Sequence, residues 1–290
     1  MRSSDLFVAE RGQGPPVVFV HGQPGRGSDW EAVAARLQDD HRVVLPDRPG
    51  YGGSGTEACS MEENARLVGD LVETRLGRPA VVVAHSYGGG IALLLAARRP
   101  ALVAGLVLAG SIGRGDSIGA VDRVLALPGV GEVMTAAGLV TLGRVLPHMR
   151  RLVGRAPGDI GPRLAAALPD EGFLEVAISQ GHWVWRSVVA EQRYLLREIA
   201  LVEDAVDRVQ APSVVITGTH DVVVAPRVAV GLAVAMPGSQ LVAVARTGHF
   251  VPRDAPGVVA AAVRRVESVA DGPGAHEAAE DDPDAREAEA

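Results

Sequence analysis

Five residues spread along the chain have the types and settings that acyl transfer requires. Ser86 sits in Ala84-His85-Ser86-Tyr87-Gly88, after the apolar run Ala80–Ala84 and before a helix-like stretch ending near Arg98. A serine on a sharp strand-to-helix turn holds its hydroxyl clear of the chain, and the flanking positions must be small because they pack against neighbouring elements. Ala84 and Gly88 are small, although the usual pattern has glycine at both, so Ala84 departs from it by one methyl group. A hydroxyl is a weak nucleophile until a base takes its proton. Thr247-Gly248-His249-Phe250 offers an imidazole after the run Leu241–Val244, and Gly218-Thr219-His220-Asp221 offers a carboxylate after Ser213–Thr217. His249 is the expected general base, and Asp221 the expected acid that orients it and stabilises its charged form. The oxyanion formed by attack on a carbonyl needs positioned backbone N–H donors. Tyr87, directly after the serine, is one, and Gln23, in His21-Gly22-Gln23-Pro24-Gly25 after Val17–Val20, is the other. The Gln23 side chain is polar where an apolar one would fit; a bond to substrate and a bond that pins an overlying segment are both open to it.

Each segment alone has an ordinary explanation as a buried serine, a Pro-Gly turn or a structural histidine. Their joint order, each after its own strand, is what points to nucleophilic catalysis. The elements that position them are legible as short apolar runs, Val17–Val20, Arg42–Leu45, Ala80–Ala84 and Val103–Leu108, of the kind buried on both faces of a parallel sheet. Helical stretches lie between them. Trp30–Leu37 places Trp30, Val33, Ala34 and Leu37 on one face, with Ser28 or Asp29 as N-cap, and Glu62–Leu76 has a similar stripe. From about Ser111 to Arg208 the pattern is helical and broken by prolines, without a clear strand. Strands resume at Ser213–Thr217 and Leu241–Val244, and a last helix runs from Pro256 to Val266. The expected organisation is an α/β core over 1–112 and 210–270, a helical cap over 113–209 and a tail over 271–290. A cap inserted there would cover the carboxyl ends of the strands, where open α/β sheets bind ligands. The glycine-rich loop Asp47–Gly55 reads as structural.

Charge and composition exclude several alternatives. The net charge of −7 resides in the tail, where eight acids face only Arg286, so residues 1–270 are formally neutral and give no reason to expect nucleic acid. The tail has almost no large apolar residues and is expected to be disordered and solvated. All 28 basic residues are arginine. Without a lysine the chain forms no pyridoxal Schiff base and no Walker-type phosphate loop. Cys59 is the only cysteine, which excludes an intrachain disulfide and a thiolate zinc cluster. Arg98, Arg99 and Pro100 interrupt the most apolar stretch, against a membrane span, and the first ten residues carry no apolar signal core. A cytoplasmic protein without metal or organic cofactor is the expectation.

The segments His21–Gly25, Asp47–Gly55, His85–Gly89, Gly218–Asp221 and Gly248–Phe250 together resemble the alpha/beta-hydrolase superfamily, over about residues 5–112 and 210–268. The resemblance implies an eight-stranded, mostly parallel sheet flanked by helices, with an inserted helical cap. In some members the acid follows an earlier strand; Asp116, beyond Ser111, is the candidate there, and Asp221 fits better. Members resembling haloalkane dehalogenases and epoxide hydrolases use aspartate at the elbow, and hydroxynitrile lyases use a cap lysine. Ser86 and the absence of lysine argue against all three.

What remains is hydrolysis of an ester, lactone or thioester of a small, largely apolar molecule. Carbon–carbon bond hydrolysis or perhydrolysis of the haloperoxidase kind would use the same residues. A non-hydrolytic binder or cyclase using the cap pocket is the reading from another class. Four of the chain's ten aromatic residues fall in the cap: Phe173, Trp183, Trp185 and Tyr194. Trp183, Trp185 and Phe250 are the expected substrate-binding residues. Trp183 and Trp185, two apart, cannot share one helix face, so at most one of them reaches substrate. Met134 and Met149 are adaptable fillers for the same cavity.

Overall fold

The computed structural model describes residues 2–55, 57–155, 161 and 184–270, with backbone alone for 139–147 and 150. Seven strands form one sheet: β1 (Val8–Arg11), β2 (Pro16–Val20), β3 (Arg42–Pro46), β4 (Ala80–His85), β5 (Val103–Ala109), β6 (Ser213–Gly218) and β7 (Gln240–Val244). Their order is β1-β3-β2-β4-β5-β6-β7, antiparallel only at β1–β3. The sheet therefore has seven strands among the described residues, not the eight implied by the resemblance. The polar residues Ser3–Asp5, ahead of β1, form a 3-10 turn rather than another strand.

Side chains alternate across the sheet, and the two faces make two cores. Val18, Val20, Val44, Val82 and Ala84 face one way; Val17, Phe19, Val43, Leu45, Val81 and Val83 face the other. Nine α-helical segments occur among the described residues: α1 (Glu31–Ala34), α2 (Met61–Leu71), α3 (Tyr87–Arg98), α4 (Ala120–Leu125), α5 (Val130–Val153), α6 (Val184–Val206), α7 (Pro226–Ala235), α8 (Val251–Asp254) and α9 (Pro256–Ala270). Residues of α2, α3 and α6 cover the first face, and those of α1 and α9 the second. Each fully buried aliphatic side chain in these layers contributes about 1.5–3 kcal/mol.

Local sequence sets the boundaries. The expected helix from Trp30 to Leu37 is a 3-10 turn, Gly27–Trp30, leading into the single turn of α1. At its start Asp29 Oδ2 accepts the Arg26 N–H at 2.9 Å. The helix expected to begin at Glu62 starts at Met61, because Ser60 caps it by accepting the Glu63 N–H at 3.1 Å, and it widens into a π-helical turn over Val72–Leu76. Between β5 and β6 the described residues contain helices and no strand. No described helix is long and apolar enough to cross a membrane. The expected tail, Phe173 and Trp183 lie outside the described residues.

Candidate active site

The parallel strands deliver the chemical groups to one edge of the sheet. Ser86 follows β4 and precedes α3, with φ 53° and ψ −121°. That left-handed backbone is costly for a residue with a Cβ and persists because the surroundings over-determine it. The Ser86 N–H donates to Ala109 O at 3.1 Å, and Ser86 O accepts from Gly89 at 2.9 Å. The turn is pressed against β2: a Cβ at Gly88 would lie 2.5 Å from Val20 O and 2.6 Å from His21 O. At position 84 the sheet accommodates the extra methyl, since Ala84 is fully buried among the first-face residues.

His249 and Asp221 come to this turn from the loops after β7 and β6. His249 Nε2 lies 2.9 Å from Ser86 Oγ, and His249 Nδ1 lies 2.9 Å from Asp221 Oδ2. The other carboxylate oxygen, Asp221 Oδ1, accepts the N–H groups of Val223 and Val224, both at 2.9 Å. With Asp221 accepting at Nδ1, the ring carries its proton there, and Nε2 presents a lone pair to the serine hydroxyl. This line is able to move a proton from hydroxyl to imidazole while the carboxylate meets the resulting charge. Asp116 is half-exposed and forms ion pairs with Arg114 and Arg227 at 3.7 and 3.9 Å. Asp221, not Asp116, is the acid beside His249.

A cavity of about 510 Å³ opens over Ser86 and His249. Gln23, Tyr87 and Phe250 line it, as do Trp30, Ile112, Gln192, Leu195, Val223 and Val224. Tyr87 is the first residue of α3, where a backbone N–H has no acceptor within the helix. The two uses left open for the Gln23 side chain resolve toward pinning. Its Nε2 donates to Val188 O at 2.9 Å and its Oε1 accepts from Gln192 at 3.0 Å, both on α6. Trp185 is half-buried, with the Arg186 guanidinium 5.3 Å from its ring, and is not among the cavity-lining residues. Met134 and Met149 are 48% and 43% exposed and do not line the cavity either. Among the lining residues that the sequence did not single out, Gln192 and Leu195 follow Val188 on the inward stripe of α6 by four and seven residues.

The Asp47–Gly55 loop carries more than backbone. Arg48 is 1% exposed and donates to His21 O at 3.0 Å, to Gly22 O at 2.8 Å and to both carboxylate oxygens of Glu191 on α6. Tyr51 Oη donates to the same carboxylate at 2.6 Å. Burial, followed by the charge of Glu191, pushes the Tyr51 pKa well up, so it stays a donor. His21 is fully buried; burial first and the Arg48 charge next hold its pKa well down. As a neutral ring it accepts the Arg48 N–H at Nε2 and donates from Nδ1 to Gly22 O, both at 2.9 Å. The segment leading to Gln23 is thus fixed by the same guanidinium that grips α6. Burial pushes the Cys59 thiol up to about 12, which leaves it inert as a nucleophile. Among the described residues no group of three potential metal ligands occurs.

Residues 17–262 match the alpha/beta hydrolase family, and the chain belongs to it. Lipase LipV of Mycobacterium tuberculosis is 31% identical over 209 residues, covering 68% of this chain and 74% of that protein. Haloalkane dehalogenase 2 of the same organism is 26% identical over 266 residues, covering 89% and 90%. Among solved structures, a thermophilic esterase from Thermogutta terrifontis superposes with a TM-score of 0.65 at 23% identity, covering 91% of this chain and 93% of that one.

Proposed function

We propose that this protein hydrolyses an ester, lactone or thioester bond of a small, largely apolar molecule through an acyl-enzyme on Ser86. The observation that carries the reading is the unbroken line from Ser86 Oγ to His249 to Asp221, with both contacts at 2.9 Å. His249 takes the serine proton as Ser86 attacks the carbonyl carbon, and the N–H groups of Tyr87 and Gln23 meet the oxyanion. Collapse expels the alcohol or thiol, which receives the proton from His249. Water, deprotonated by the same imidazole, then releases the acid and restores Ser86. The family's lipase relative supports this bond type. Its dehalogenase relative does not extend to the chemistry proposed, because Ser86 occupies the place where such enzymes use aspartate. Trp30, Ile112, Leu195, Val223, Val224 and Phe250 give the cavity its apolar character. The helices between β5 and β6 act in this reading as the cap that shapes it.

The test is a panel of short p-nitrophenyl esters, thioesters, lactones and a diketone, with wild type and Ser86→Ala. Ester-type turnover that disappears in Ser86→Ala is the expected result. Cleavage of the diketone alone would move the reaction to a carbon–carbon bond. Turnover that survives Ser86→Ala would remove the mechanism.

A further inference from the structure

Two acceptors on cavity-lining residues have no part in the chemistry above, and the backbone fixes the direction of both. His85, directly before the nucleophile, lines the cavity and places Nε2 2.9 Å from the carbonyl oxygen of His249. A carbonyl only accepts, so Nε2 carries the ring proton and Nδ1 the lone pair. Burial, reinforced by the neighbouring His249, holds the His85 pKa down to about 3, so the ring stays neutral. Nδ1 makes no hydrogen bond among the described residues. It faces Gly22: a Cβ at that position would lie 2.9 Å from Nδ1 and 3.1 Å from Ser86 Cβ. With glycine there, no side chain covers Nδ1 or Ser86 from that side.

The second acceptor ends a relay. Val188 O, which only accepts, takes the Gln23 Nε2 proton, so the Gln23 oxygen turns the other way and takes a proton from Gln192 Nε2. The relay leaves Gln192 Oε1 as its terminal atom, buried and without a partner, on a residue 6% exposed that lines the cavity. A buried acceptor left unmet is destabilising. A ligand that brings a donor to this wall recovers that cost, whereas an all-apolar one does not.

We propose that the preferred substrates carry a hydroxyl or amide N–H close to the scissile carbonyl, which donates to His85 Nδ1, with Gln192 Oε1 taking a second donor further along the wall. The substrate class is then the esters, lactones or thioesters of hydroxy or acylamino acids. The inference rests on the ester-hydrolase reading, and its test has one arm that needs no turnover.

In the first arm kcat/KM is measured on aryl 2-hydroxy-, 2-fluoro- and 2-methoxyhexanoates, which share electron withdrawal but differ in having a donor. Wild type is expected to favour the hydroxy ester by about tenfold or more, as one hydrogen bond at a buried site provides. His85→Phe, which keeps a ring of similar bulk but has no acceptor, brings that ratio toward unity. Gln192→Met lowers selectivity for substrates with a second donor. In the second arm Ser86→Ala is titrated by NMR with methyl 2-hydroxyhexanoate and methyl 2-methoxyhexanoate, and the hydroxy ester is expected to bind about tenfold tighter. Donor preference in binding with no wild-type hydrolysis would sink the ester-hydrolase reading and keep the donor site. Hydrolysis or binding without donor preference would sink the donor site, as would a preference unmoved by both His85→Phe and Gln192→Met.

Discussion

The carboxyl edge of the sheet and the helical segment between β5 and β6 are held by different physics. At the edge each chemical group lies within a few residues of the end of a strand. Ser86 is locked by backbone bonds to Ala109 and Gly89, and Asp221 by the N–H groups of Val223 and Val224. Helix α6 instead reaches the core through long-range polar contacts. Glu191 pairs with Arg48 and Tyr51, Gln23 bonds Val188, Ser187 donates to Gly50 O at 2.8 Å, and Glu198 accepts the Met61 N–H at 2.8 Å. In the proposed reaction local structure at strand ends positions the reacting groups, while bonds that bridge more than a hundred residues hold α6 against the core.

Changes at the edge are expected to remove rate without removing stability. Asp221→Asn leaves the ring in the wrong tautomer, and kcat for ester hydrolysis is expected to fall about 10³–10⁴-fold. Steady-state kinetics check this, and a loss below tenfold would contradict the role given to Asp221. At the insertion the order reverses. Glu191→Leu strands a buried guanidinium and is expected to cost about 3–5 kcal/mol in urea unfolding, while Arg48→Met with Glu191→Leu recovers most of that loss. Equal losses in the single and double variants would break the comparison, because the pair would then not act as a unit.

A change in the sheet body sets the smallest effect. His41 lies between Asp40 at 2.7 Å and Glu267 of α9 at 2.9 Å. Burial alone would lower its pKa, but the hydrogen bonds and charges of Glu267 and Asp40 outweigh burial and raise it. Its contribution to stability is therefore full below the unfolded value of about 6.5 and is lost as pH rises through the higher folded pKa. His41→Gln should cost about 1 kcal/mol at pH 5.5 and little at pH 9, by urea unfolding at both. A cost independent of pH would contradict the charged pairing.

The same contrast governs what was legible in the sequence. Ser86, Asp221 and His249 stand in short motifs directly after apolar runs, so residue type and neighbours sufficed to place them. β1 went unseen because Glu10 and Arg11 make half of this four-residue edge strand charged. The Asp47–Gly55 loop reads as structural from its glycines, and only the fold shows Arg48 buried against α6. Glu191 did leave a signal: it occupies the inward stripe of α6 with Val184, Val188, Leu195, Ile199 and Val202, where a charge requires a partner. The partner lies 143 residues away, beyond any local pattern. Trp185 shows the opposite failure, since aromatic character alone does not say which side of a helix meets the cavity.

Covalent chemistry at Ser86 is read out by intact-protein mass spectrometry after incubation with a fluorophosphonate. Wild type is expected to gain one phosphonyl group, mapped by peptide digestion to the Ser86 peptide, while Ser86→Ala gains none and His249→Ala reacts far more slowly. An unlabelled wild-type protein, or label that persists in Ser86→Ala, would contradict the account.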